Sequence, residues 1–538
     1  EVMGSGSTAW ADPTISRLEI QCAVIDRPRW SGVYHRASSL AGPRALSYSP
    51  SGFPVGETMS DDRRQQALLE ALAGLRRARA RIAALEAARE PGSAAVVCAV
   101  GLRLPGGGST LADAEQAATA SGVRYRSDAP RWSPTGEEAV DTAGWLDDVY
   151  GVDPDALGLS PREAARMDPA QRLLLMATHE AVDALPEGLP SSTGVYVATG
   201  LTDFEADALR HADPARQDPW AATGVLDSVQ AGRIAYALGL TGPALAVDTA
   251  CSGGLVALAL ALADLRRGAC EAAVVGAANV ILRPEASRSF AAMGALSPSG
   301  RLSALSAEAD GYVRSEAVVV LVLTTRARAE VSAWPVLGEV LGAAVNQDGR
   351  SNGLTAPSAR AQTAVIRAAW ADAGRTPDDA AWFSLHGTGT PLGDPVEVSA
   401  LDAALSSAHA VPVQASKARF GHAEPAAGLL SVVDALLAMR RGTLPPLPGL
   451  AAVSDAVARA SSRLAWPTEA RDLAPGPVGV SAFGLAGTNA HVVLGPSPDG
   501  TGWPAPSPRR WSLQALGGPS GPDLPGYAVD WVEARVGS

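Results

Sequence analysis

Val247 to Gly254 reads VDTACSGG, a short run in which one cysteine, Cys251, stands among small residues. The run before it, Ala244 to Val247, predicts a strand, and the apolar run after it, Leu255 to Leu265, predicts a helix. Cys251 is therefore expected at the N-terminus of a helix. Because the positive end of a helix dipole lowers the pKa of a thiol, we expect Cys251 to be a nucleophile with an enlarged thiolate fraction.

Two histidines farther along the chain lie in loops of similar composition. HGTGTPLGDP begins at His386, and GHAEPAAG begins at Gly421 and carries His422. One cysteine and two imidazoles are what a nucleophilic site for thioesters needs. One imidazole can set up the thiolate or hold a developing negative charge, and the other can move a proton at the reacting carbon. Cys98 and Cys270 are instead predicted to be buried and inert.

The composition disfavours several classes of protein. The chain has 538 residues, a formal net charge of −12 and no basic stripe, so nucleic acid is not expected as a partner. Its four cysteines show no paired framework and no C-x-x-C spacing, so we expect a reducing, cytoplasmic location and no structural zinc. No apolar run reaches ~18 uncharged residues, so no membrane span is expected.

The N-terminal part of the chain differs in character from the middle. Residues 1–58 lack periodicity and mix Pro, Gly and Ser, which predicts a disordered leader or an upstream mis-start. Within residues 59–90, Leu68, Leu75 and Ile82 recur every seven residues. This spacing predicts a short coiled-coil helix that pairs with a copy of itself. A solvated amphipathic helix lying on its own domain is the alternative.

The middle of the chain alternates short β-branched runs with Ala- and Leu-rich helical patterns. This alternation predicts an α/β protein with buried sheets. The predicted strands are Ala95–Val100, Gly194–Ala198, Ala272–Val275, Val318–Leu323 and Val336–Val345. The predicted helices are Ala164–Ala184, Gly253–Arg267 and Gln362–Ala373.

Seven ordered motifs run through the middle of the chain. They are LSPREAARMDPAQRLLL from Leu159, GRIAYALGLTGPALAVDTACS from Gly232, ADGYVRSE from Ala309, VNQDGRSNGLTAPS from Val345, HGTGTPLGDPVE from His386, KARFGH from Lys417 and GVSAFGLAGTNAHVVL from Gly479. In their order, spacing and residue identities, they resemble the motifs of the ketosynthase domain of modular type I polyketide synthases, a condensing enzyme of the thiolase superfamily.

This resemblance implies a fold and an assembly. The fold is a thiolase-like α/β fold of five layers, αβαβα, built from two similar halves at residues 94–330 and 331–496. Two copies are expected to form a homodimer. The coil at 59–90 then resembles the helices by which an upstream synthase subunit docks, and the Pro-, Gly- and Trp-rich residues 497–538 resemble a post-ketosynthase linker.

The resemblance also implies a catalytic role for three residues. Cys251 would take an acyl chain from an acyl carrier protein. His386 and His422 would hydrogen-bond the thioester carbonyl of the extender unit, promote loss of carbon dioxide and stabilise the enolate. Lys417 is expected to be half-buried, and a carboxylate of the HGTGTPLGDPVE motif, from Asp394 or Glu397, is its possible counter-charge.

The substrate-binding groups follow from the same resemblance. The backbone N–H groups of Cys251 and Leu485 would form the oxyanion hole. Thr388 and Thr390 match positions that hydrogen-bond a pantetheine arm. Phosphopantetheine is thus carried by the substrate, and neither a bound cofactor nor a metal is implied. Phe483 is assigned to the substrate site.

Some of the wording departs from the usual ketosynthase pattern. The usual KSNIGH is KARFGH here, so Arg419 and Phe420 are unexpectedly large and are assigned to the wall of the substrate chamber. The usual ACSSSL is ACSGGL, with Gly253 and Gly254, and RGEG is RSEA from Arg314. No departure removes a catalytic group, but together they predict an altered chamber or altered carrier contacts.

Three functions remain open from the sequence. The first is a β-ketoacyl synthase that extends an acyl chain on Cys251 by decarboxylative Claisen condensation. The second is a freestanding ketosynthase that closes a ring by internal aldol reaction and lactonisation, similar to the enzyme implicated in the γ-lactam-β-lactone of salinosporamide. The Arg419–Phe420 pair and the absence of an acyltransferase segment within residues 497–538 favour it. The third is an inactive partner or docking subunit, which the presence of Cys251 disfavours.

Overall fold

A computed structural model of the chain describes most of its middle. The described residues are 94–120, 122–204, 219–407, 409–497, 503, 509, 511–515 and, near the N-terminus, 69, 70, 72–77, 79, 80 and 83. The predicted leader at 1–58 and most of the linker at 497–538 lie outside them.

The predicted coil at 59–90 is described only in part. By their contacts, residues 1–72 and 73–538 form separate units. The described positions between 69 and 83 are helical. Leu75 is exposed, whereas Leu68 and Ile82 lie outside the described residues. The heptad seam therefore stays a prediction.

The strands are short and mostly buried. They are β1 (Ala95–Arg103), β2 (Ala143–Gly144), β3 (Gly151–Val152), β4 (Gly194–Ala198), β5 (Ala244–Val247), β6 (Ala272–Asn279), β7 (Arg314–Ser315), β8 (Ala317–Thr325), β9 (Gly338–Gln347), β10 (Trp382–Ser384), β11 (Val411–Gln414), β12 (Thr443–Leu444), β13 (Leu464–Ala465), β14 (Arg471–Asp472), β15 (Val478–Phe483), β16 (Thr488–Gly495) and β17 (Gln514–Ala515).

The helices alternate with these strands. They are α1 (Leu111–Thr119), α2 (Glu138–Asp141), α3 (Pro161–Arg166), α4 (Pro169–Asp183), α5 (Trp220–Val225), α6 (Asp227–Leu238), α7 (Gly253–Arg266), α8 (Pro284–Ala292), α9 (Arg326–Val331), α10 (Ala359–Asp372), α11 (Gly393–Ala404), α12 (Lys417–Phe420), α13 (Ala427–Arg441) and α14 (Asp455–Ala460). Among the described residues, none of these helices combines the length and the apolar character needed to cross a bilayer.

The main sheet contains two groups of strands. Its order is β13-β11-β10-β15-β16-β9-β1-β8-β6-β4-β5. The two groups meet at β1 and β9, which pair over three residue pairs, from Ala95 opposite Val340 to Val97 opposite Gly338. The strands from β1 to β5 in this order therefore belong to the N-terminal half of the predicted fold, and those from β13 to β9 belong to the C-terminal half.

The side chains of this sheet alternate between layers of helices. Val319, Leu321 and Leu323 of β8 pack into the cluster that holds α7 and α13, while Val320 and Val322 pack into the cluster that holds α4 and α6. This is the two-residue period of a strand that is buried on both faces. The strands of the C-terminal half share the central cluster, and α10 and α11 cover their other face. The predicted five-layer α/β fold is confirmed.

One predicted helix is in fact two. The pattern from Ala164 to Ala184 predicts a single helix, but the chain breaks between α3 and α4 because Pro169 begins α4 and has no N–H to continue α3. The side chain of Asp168 caps α4 by accepting a hydrogen bond from the N–H of Ala170. The buried guanidinium of Arg172 then donates to the carbonyl oxygens left free at the break.

Two glycines allow α7 and α13 to cross closely between the halves. A Cβ at Gly254 would lie 2.8 Å from the carbonyl oxygen of Pro425 and 2.9 Å from Cγ of Leu429. A Cβ at Gly428 would lie 2.8 Å from Cγ of Leu255. Any side chain at these two positions must push the helices apart.

We therefore expect Gly428→Val to destabilise the fold by about 1–3 kcal/mol, the usual cost of overpacking a core. The midpoint of denaturant unfolding, followed by circular dichroism, measures this change. Gly232→Ala is the matched control, because a Cβ there meets no atom within 4 Å on α6. The control should unfold at the wild-type midpoint or slightly above it, since alanine favours a helix by about 1 kcal/mol over glycine. Equal midpoints for Gly428→Val and wild type would contradict the close crossing.

Candidate active site

A cavity of about 670 Å³ lies at the start of the two central helices. It collects residues from the loops before α7, α11 and α13 and from the loop that joins β15 and β16. Among the predicted site residues, those that line it are Cys251, His386, Thr388, Thr390, His422, Phe483 and Leu485.

Cys251 is presented by a strained turn. It lies in a single 3-10 turn, Ala250–Ser252, that runs directly into α7, so its predicted position at a helix N-terminus is correct. Ala250 has a positive φ of 53°, which is uncommon for a residue with a side chain. A hydrogen bond of 2.8 Å from the N–H of Ala250 to Oδ1 of Asp248 holds this turn. Strain of this kind is commonly kept where it positions a functional group.

The thiol of Cys251 does not have the lowered pKa that its helix position predicts. Burial, assisted by the nearby carboxylate of Glu424, raises its pKa to about 12. Lys417 and the backbone N–H groups of Cys251 and Leu485 act in the opposite direction but are outweighed. The sequence prediction was wrong here because desolvation of the charged form exceeds the effect of a helix terminus. The free site therefore holds a neutral thiol.

The loop from Gly484 to Gly487 brings the N–H of Leu485 to this thiol. Gly484 cannot carry a side chain, because a Cβ there would lie 2.4 Å from the carbonyl oxygen of Thr249. Gly487 has a φ of +87° and donates a hydrogen bond of 2.9 Å to the carbonyl oxygen of Gly484. The N–H groups of Cys251 and Leu485 thus share one side of the cavity, which is the arrangement that the predicted oxyanion hole requires.

Both histidines are held in the same tautomer by backbone donors. The N–H of Phe483 donates to Nδ1 of His386 at 3.3 Å, and the N–H of Glu424 donates to Nδ1 of His422 at 3.1 Å. Since each Nδ1 accepts a hydrogen bond, the proton of each neutral ring resides on Nε2. The two ring centroids are 5.5 Å apart and the rings are almost perpendicular. The pair can therefore direct two N–H donors at one oxygen atom.

The environment keeps both rings uncharged. Burial lowers the pKa of His386 well below its ordinary value, and the charge of Lys417 and the neighbouring His422 lower it further. Burial likewise lowers the pKa of His422, assisted by the charges of Lys417 and Arg314. Neutral imidazoles with a proton on Nε2 stabilise negative charge by donating a hydrogen bond to it, and they carry no positive charge before the substrate binds.

Lys417 is fully buried, whereas the sequence predicted a half-buried side chain. Its Nζ makes no hydrogen bond to any described residue. Burial lowers its pKa, while the charges of Glu397, Cys251 and Asp394 favour its protonated form. The predicted pairing with Glu397 or Asp394 is thus a longer-range attraction to both carboxylates and includes no direct hydrogen bond.

The two carboxylates hold the loop that carries His386. Glu397 accepts hydrogen bonds of 2.6 and 2.8 Å from the N–H groups of His386 and Gly387. Asp394 accepts a bond of 3.1 Å from the N–H of Gly389. Burial raises the pKa of both groups, to about 6 for Asp394. The loop at the start of the HGTGTPLGDPVE motif is therefore held by hydrogen bonds to the two carboxylates at the end of the same motif.

The structure places some of the remaining predicted substrate-binding residues at the cavity wall and others away from it. The hydroxyl oxygens of Thr388 and Thr390 lie 3.4 Å apart at the cavity wall, and Phe483 lies there with its ring centroid 5.5 Å from that of His386. Arg419 and Phe420 are different, because both side chains are buried and neither lines the cavity.

The assignment of Arg419 and Phe420 to the chamber wall is thus corrected. Both belong to α12, a single turn of helix in which successive side chains point in different directions. The guanidinium of Arg419 donates to the backbone carbonyl oxygens of Ala120 and Pro446 at 3.3 Å. Phe420 joins the central hydrophobic cluster. Their size serves packing and does not reshape the cavity.

The sequence analysis missed three residues of the site. Glu424 and Tyr312 line the cavity, and Arg314 forms a buried ion pair with Glu424. Tyr312 packs its ring edge-on against His422 at 5.1 Å. The sequence does hold a signal for Glu424, because this residue stands two positions after His422, a predicted catalytic residue. A glutamate so close to a buried site needs a partner, since glutamate is almost never fully buried unless it is paired. Among the described residues, no three His, Cys, Asp or Glu side chains form a cluster that could hold a metal ion.

We expect both active-site imidazoles to stay neutral well below pH ~6.5, the ordinary value for histidine. Nitrogen-15 NMR of histidine-labelled protein measures this, and His386→Gln and His422→Gln assign the signals. The unfolded chain would bind protons at these two histidines near pH ~6.5, whereas the folded chain does not. Their contribution to stability is therefore complete above that pH and is lost as the pH falls towards their lowered folded pKa values. Protonation of either ring at about pH 6.5 in the folded protein would contradict the burial argument.

Comparison with known proteins agrees with this geometry. The family profile for the β-ketoacyl synthase N-terminal domain matches residues 93–329, and that for the C-terminal domain matches residues 337–451. The chain is 43% identical over 358 residues to a phenolphthiocerol/phthiocerol polyketide synthase of Mycobacterium tuberculosis, covering 65% of this chain and 23% of that protein. It is 41% identical to erythronolide synthase EryA2 of Saccharopolyspora erythraea, covering 68% of this chain and 10% of that protein.

Solved structures show the same likeness. The oxazolomycin ketosynthase domain OzmH KS7 of Streptomyces albus JA3453 matches with a TM-score of 0.69 at 29% identity, over 77% of this chain and 76% of that one. The ketosynthase from module 6 of the bacillaene synthase of Bacillus subtilis 168 matches with a TM-score of 0.67 at 30% identity, over 75% and 72%. The chain spans less than a quarter of the length of the two curated synthases. It belongs to the β-ketoacyl synthase family and, within that family, to the ketosynthases of modular polyketide synthases.

Proposed function

We propose that the chain is a polyketide β-ketoacyl synthase that receives an acyl chain from an acyl carrier protein on Cys251. It then extends that chain by decarboxylative Claisen condensation with a malonyl-type unit carried on phosphopantetheine. One observation carries the proposal: the thiol of Cys251, two N–H groups of the backbone and two neutral imidazoles face one cavity. Ketosynthases of this family use a substrate held on phosphopantetheine and no free cofactor.

Loading needs groups that stabilise an oxyanion. The sulfur of Cys251 attacks the carbonyl carbon of the carrier thioester, and the oxygen becomes negative. The backbone N–H groups of Cys251 and Leu485 stabilise that charge, and the intermediate then expels the carrier sulfur, which takes up the proton that Cys251 loses and leaves as a thiol. The nearby charge of Lys417 favours the thiolate that attacks, because it lowers the pKa that burial has raised. Thr388 and Thr390 would hold the pantetheine arm at the cavity wall.

Condensation needs a second set of donors. The carbonyl oxygen of the extender thioester would accept hydrogen bonds from Nε2–H of His386 and of His422. Loss of carbon dioxide leaves an enolate whose charge these two bonds stabilise. The enolate carbon attacks the acyl group on Cys251, a carbon–carbon bond forms, and the sulfur leaves as thiolate. Neutral rings suit this step because the Nε2 proton of a neutral imidazole is far less acidic than that of an imidazolium, so the rings donate hydrogen bonds without protonating the enolate.

The two rival functions have less support than before. The cyclase hypothesis drew on Arg419 and Phe420 as chamber residues, and both lie outside the cavity wall. An inactive partner subunit has no need to converge Cys251, His386 and His422 on a single cavity. Ring closure would instead be recognised by product formation that needs no malonyl carrier.

The proposed partners are a carrier protein, a second copy of the chain and an upstream synthase subunit that docks on the coil at 59–90. The second copy would pair with β5, which lies at one edge of the main sheet among the described strands. β5 ends the strand order, and Leu245 on β5 and Tyr236 on α6 are exposed large apolar residues. Pairing at β5 would cover this edge next to the turn that carries Cys251. A cytoplasmic location, expected from the cysteine usage, is part of the same proposal.

The acyl transfer is tested by intact-protein mass spectrometry. Incubation with an acyl carrier thioester should add the mass of the acyl group to the wild-type protein, and Cys251→Ala should abolish the addition. Cys270→Ala is the matched control and should acylate normally, because that thiol is buried beside Tyr196 outside the cavity. Labelling that persists in Cys251→Ala would overturn the assignment of the nucleophile.

Extension and cyclisation are separated by their need for a second substrate. We expect product formation to require a malonyl-type carrier and to release one carbon dioxide per product. His386→Ala and His422→Ala should lower this turnover by ~100-fold or more while some acylation of Cys251 remains, because each removes one donor to the enolate. A cyclic product formed from a β-keto thioester without any malonyl carrier would contradict extension and favour ring closure.

A further inference from the structure

Arg314 and Glu424 act on Cys251 and His422 through their charges, but the chemistry described above gives no role to the buried ion pair that joins them. We propose that it is a positioning device: the carboxylate of Glu424, anchored by Arg314, holds the backbone N–H of Glu424 on Nδ1 of His422 and so fixes the proton of that ring on Nε2. The inference rests on the proposed function only for its kinetic consequence. The tautomer itself can be measured without any activity.

The anchor is a two-point contact. Nε of Arg314 donates to one carboxylate oxygen of Glu424 at 2.5 Å, and Nη2 donates to the other at 3.0 Å. The guanidinium is itself held, since Nη1 donates to the hydroxyl of Ser287 at 3.0 Å and its carbon lies 5.3 Å from the ring centroid of Phe290. Two parallel bonds to a fixed guanidinium define both the position and the rotation of the carboxylate.

The backbone of Glu424 needs such an anchor. Its φ is +49°, in the left-handed region that a residue with a Cβ adopts at a cost of about 1–2 kcal/mol. Its N–H donates to Nδ1 of His422 at 3.1 Å. The chain after residue 424 runs into the buried helix α13 and cannot follow a change of φ. Relaxation of residue 424 to negative φ without the ion pair would therefore turn the peptide plane before it and withdraw that N–H. The ring would then be free to carry its proton on Nδ1.

The residues on either side of Arg314 also bind the backbone of His422. The N–H of His422 donates to the carbonyl oxygen of Val313 at 2.7 Å, and the N–H of Ser315 donates to the carbonyl oxygen of His422 at 2.9 Å. The strand segment around Arg314 thus fixes the main chain of His422, while the side chain of Arg314 fixes residue 424. The backbone and the side chain of the segment Val313 to Ser315 therefore both help to position the ring of His422.

The consequence for catalysis is selective. A ring with its proton on Nδ1 presents a lone pair at Nε2, which cannot donate to the oxygen of the enolate. Loading depends on Cys251 and on the N–H of Leu485 and would be affected less. Loss of the anchor should therefore impair condensation more than acylation.

The test uses three variants of the full chain labelled with nitrogen-15 histidine. In Glu424→Ala we expect the signal of His422 to shift towards the form with the proton on Nδ1. Condensation should fall ~10-fold or more, and acylation of Cys251 should change by less than ~3-fold. Glu424→Gly should lie closer to wild type in both measurements, because glycine adopts positive φ without strain.

The third variant guards against failure to fold. Glu424→Ala leaves the buried guanidinium of Arg314 without its carboxylate, which strongly destabilises a fold. The double variant Arg314→Met, Glu424→Ala removes both charges and should show the same shift of tautomer. Glu180→Ala is the matched control: it breaks another two-point pair, with Arg103, far along the chain and outside the cavity. It should leave the signals of His422 and the ratio of condensation to loading unchanged.

Two results would overturn the proposal. One is an unchanged tautomer of His422 in Glu424→Ala and in the double variant. The other is an equal shift in Glu424→Ala and Glu424→Gly, which would assign the effect to the lost charge and not to the backbone. If the wild-type protein performs no condensation, the proposed function fails, but the NMR measurement still decides whether the ion pair sets the tautomer.

Discussion

The close crossing of α7 and α13 is the constraint on which the site depends. Each central helix begins directly after a functional loop, so Cys251 precedes α7 and His422 precedes α13. Gly254 and Gly428 let the first turns of the two helices touch, and this contact brings the nucleophile and the imidazole to one cavity. The two groups of strands in the main sheet bury both helices and fix the distance between them. A larger residue at the crossing would therefore cost chemistry as well as stability.

Burial at this crossing sets the electrostatics of the site. Water is displaced from a thiol, two imidazoles, an ammonium and several carboxylates, and each is pushed towards its neutral form. The fold compensates mainly with backbone N–H groups: two face Cys251, two are accepted by Glu397, and one is accepted by each histidine. Fixed dipoles stabilise negative charge as it develops and need no reorganisation during the reaction. The resting site therefore holds a neutral thiol and two neutral imidazoles beside the charges of Lys417 and of the Arg314–Glu424 pair, and new negative charge develops on the substrate.

Much of this could be predicted from the sequence, and the failures have physical causes. The β-branched runs indicated the strands of the central sheet, and the resemblance of the motifs to those of ketosynthases implied which loops meet. The break at Pro169 was missed because the apolar pattern continues across it. The pKa of Cys251 was misjudged because a sequence shows a helix terminus but does not show desolvation. Arg419 was placed in the chamber because it stands near His422 in the chain, yet its side chain leaves α12 towards the backbone of Ala120.

The unusual glycines after Cys251 have a structural explanation that leaves the chemistry intact. Where related motifs carry serines, this chain has Gly253 and Gly254, and the ring of Pro425 occupies the adjacent space. A Cβ at Gly253 would lie 3.2 Å from Cβ of Ala198 and 3.9 Å from Cβ of Pro425, and one at Gly200 would lie 3.2 Å from Cγ of Pro425. The proline directly follows Glu424, so its fixed ring also limits how far the left-handed turn after His422 can move. The loss of two side chains on one helix and the presence of a rigid ring before the other therefore belong to a single packing solution, which holds the catalytic loops and does not alter the groups that react.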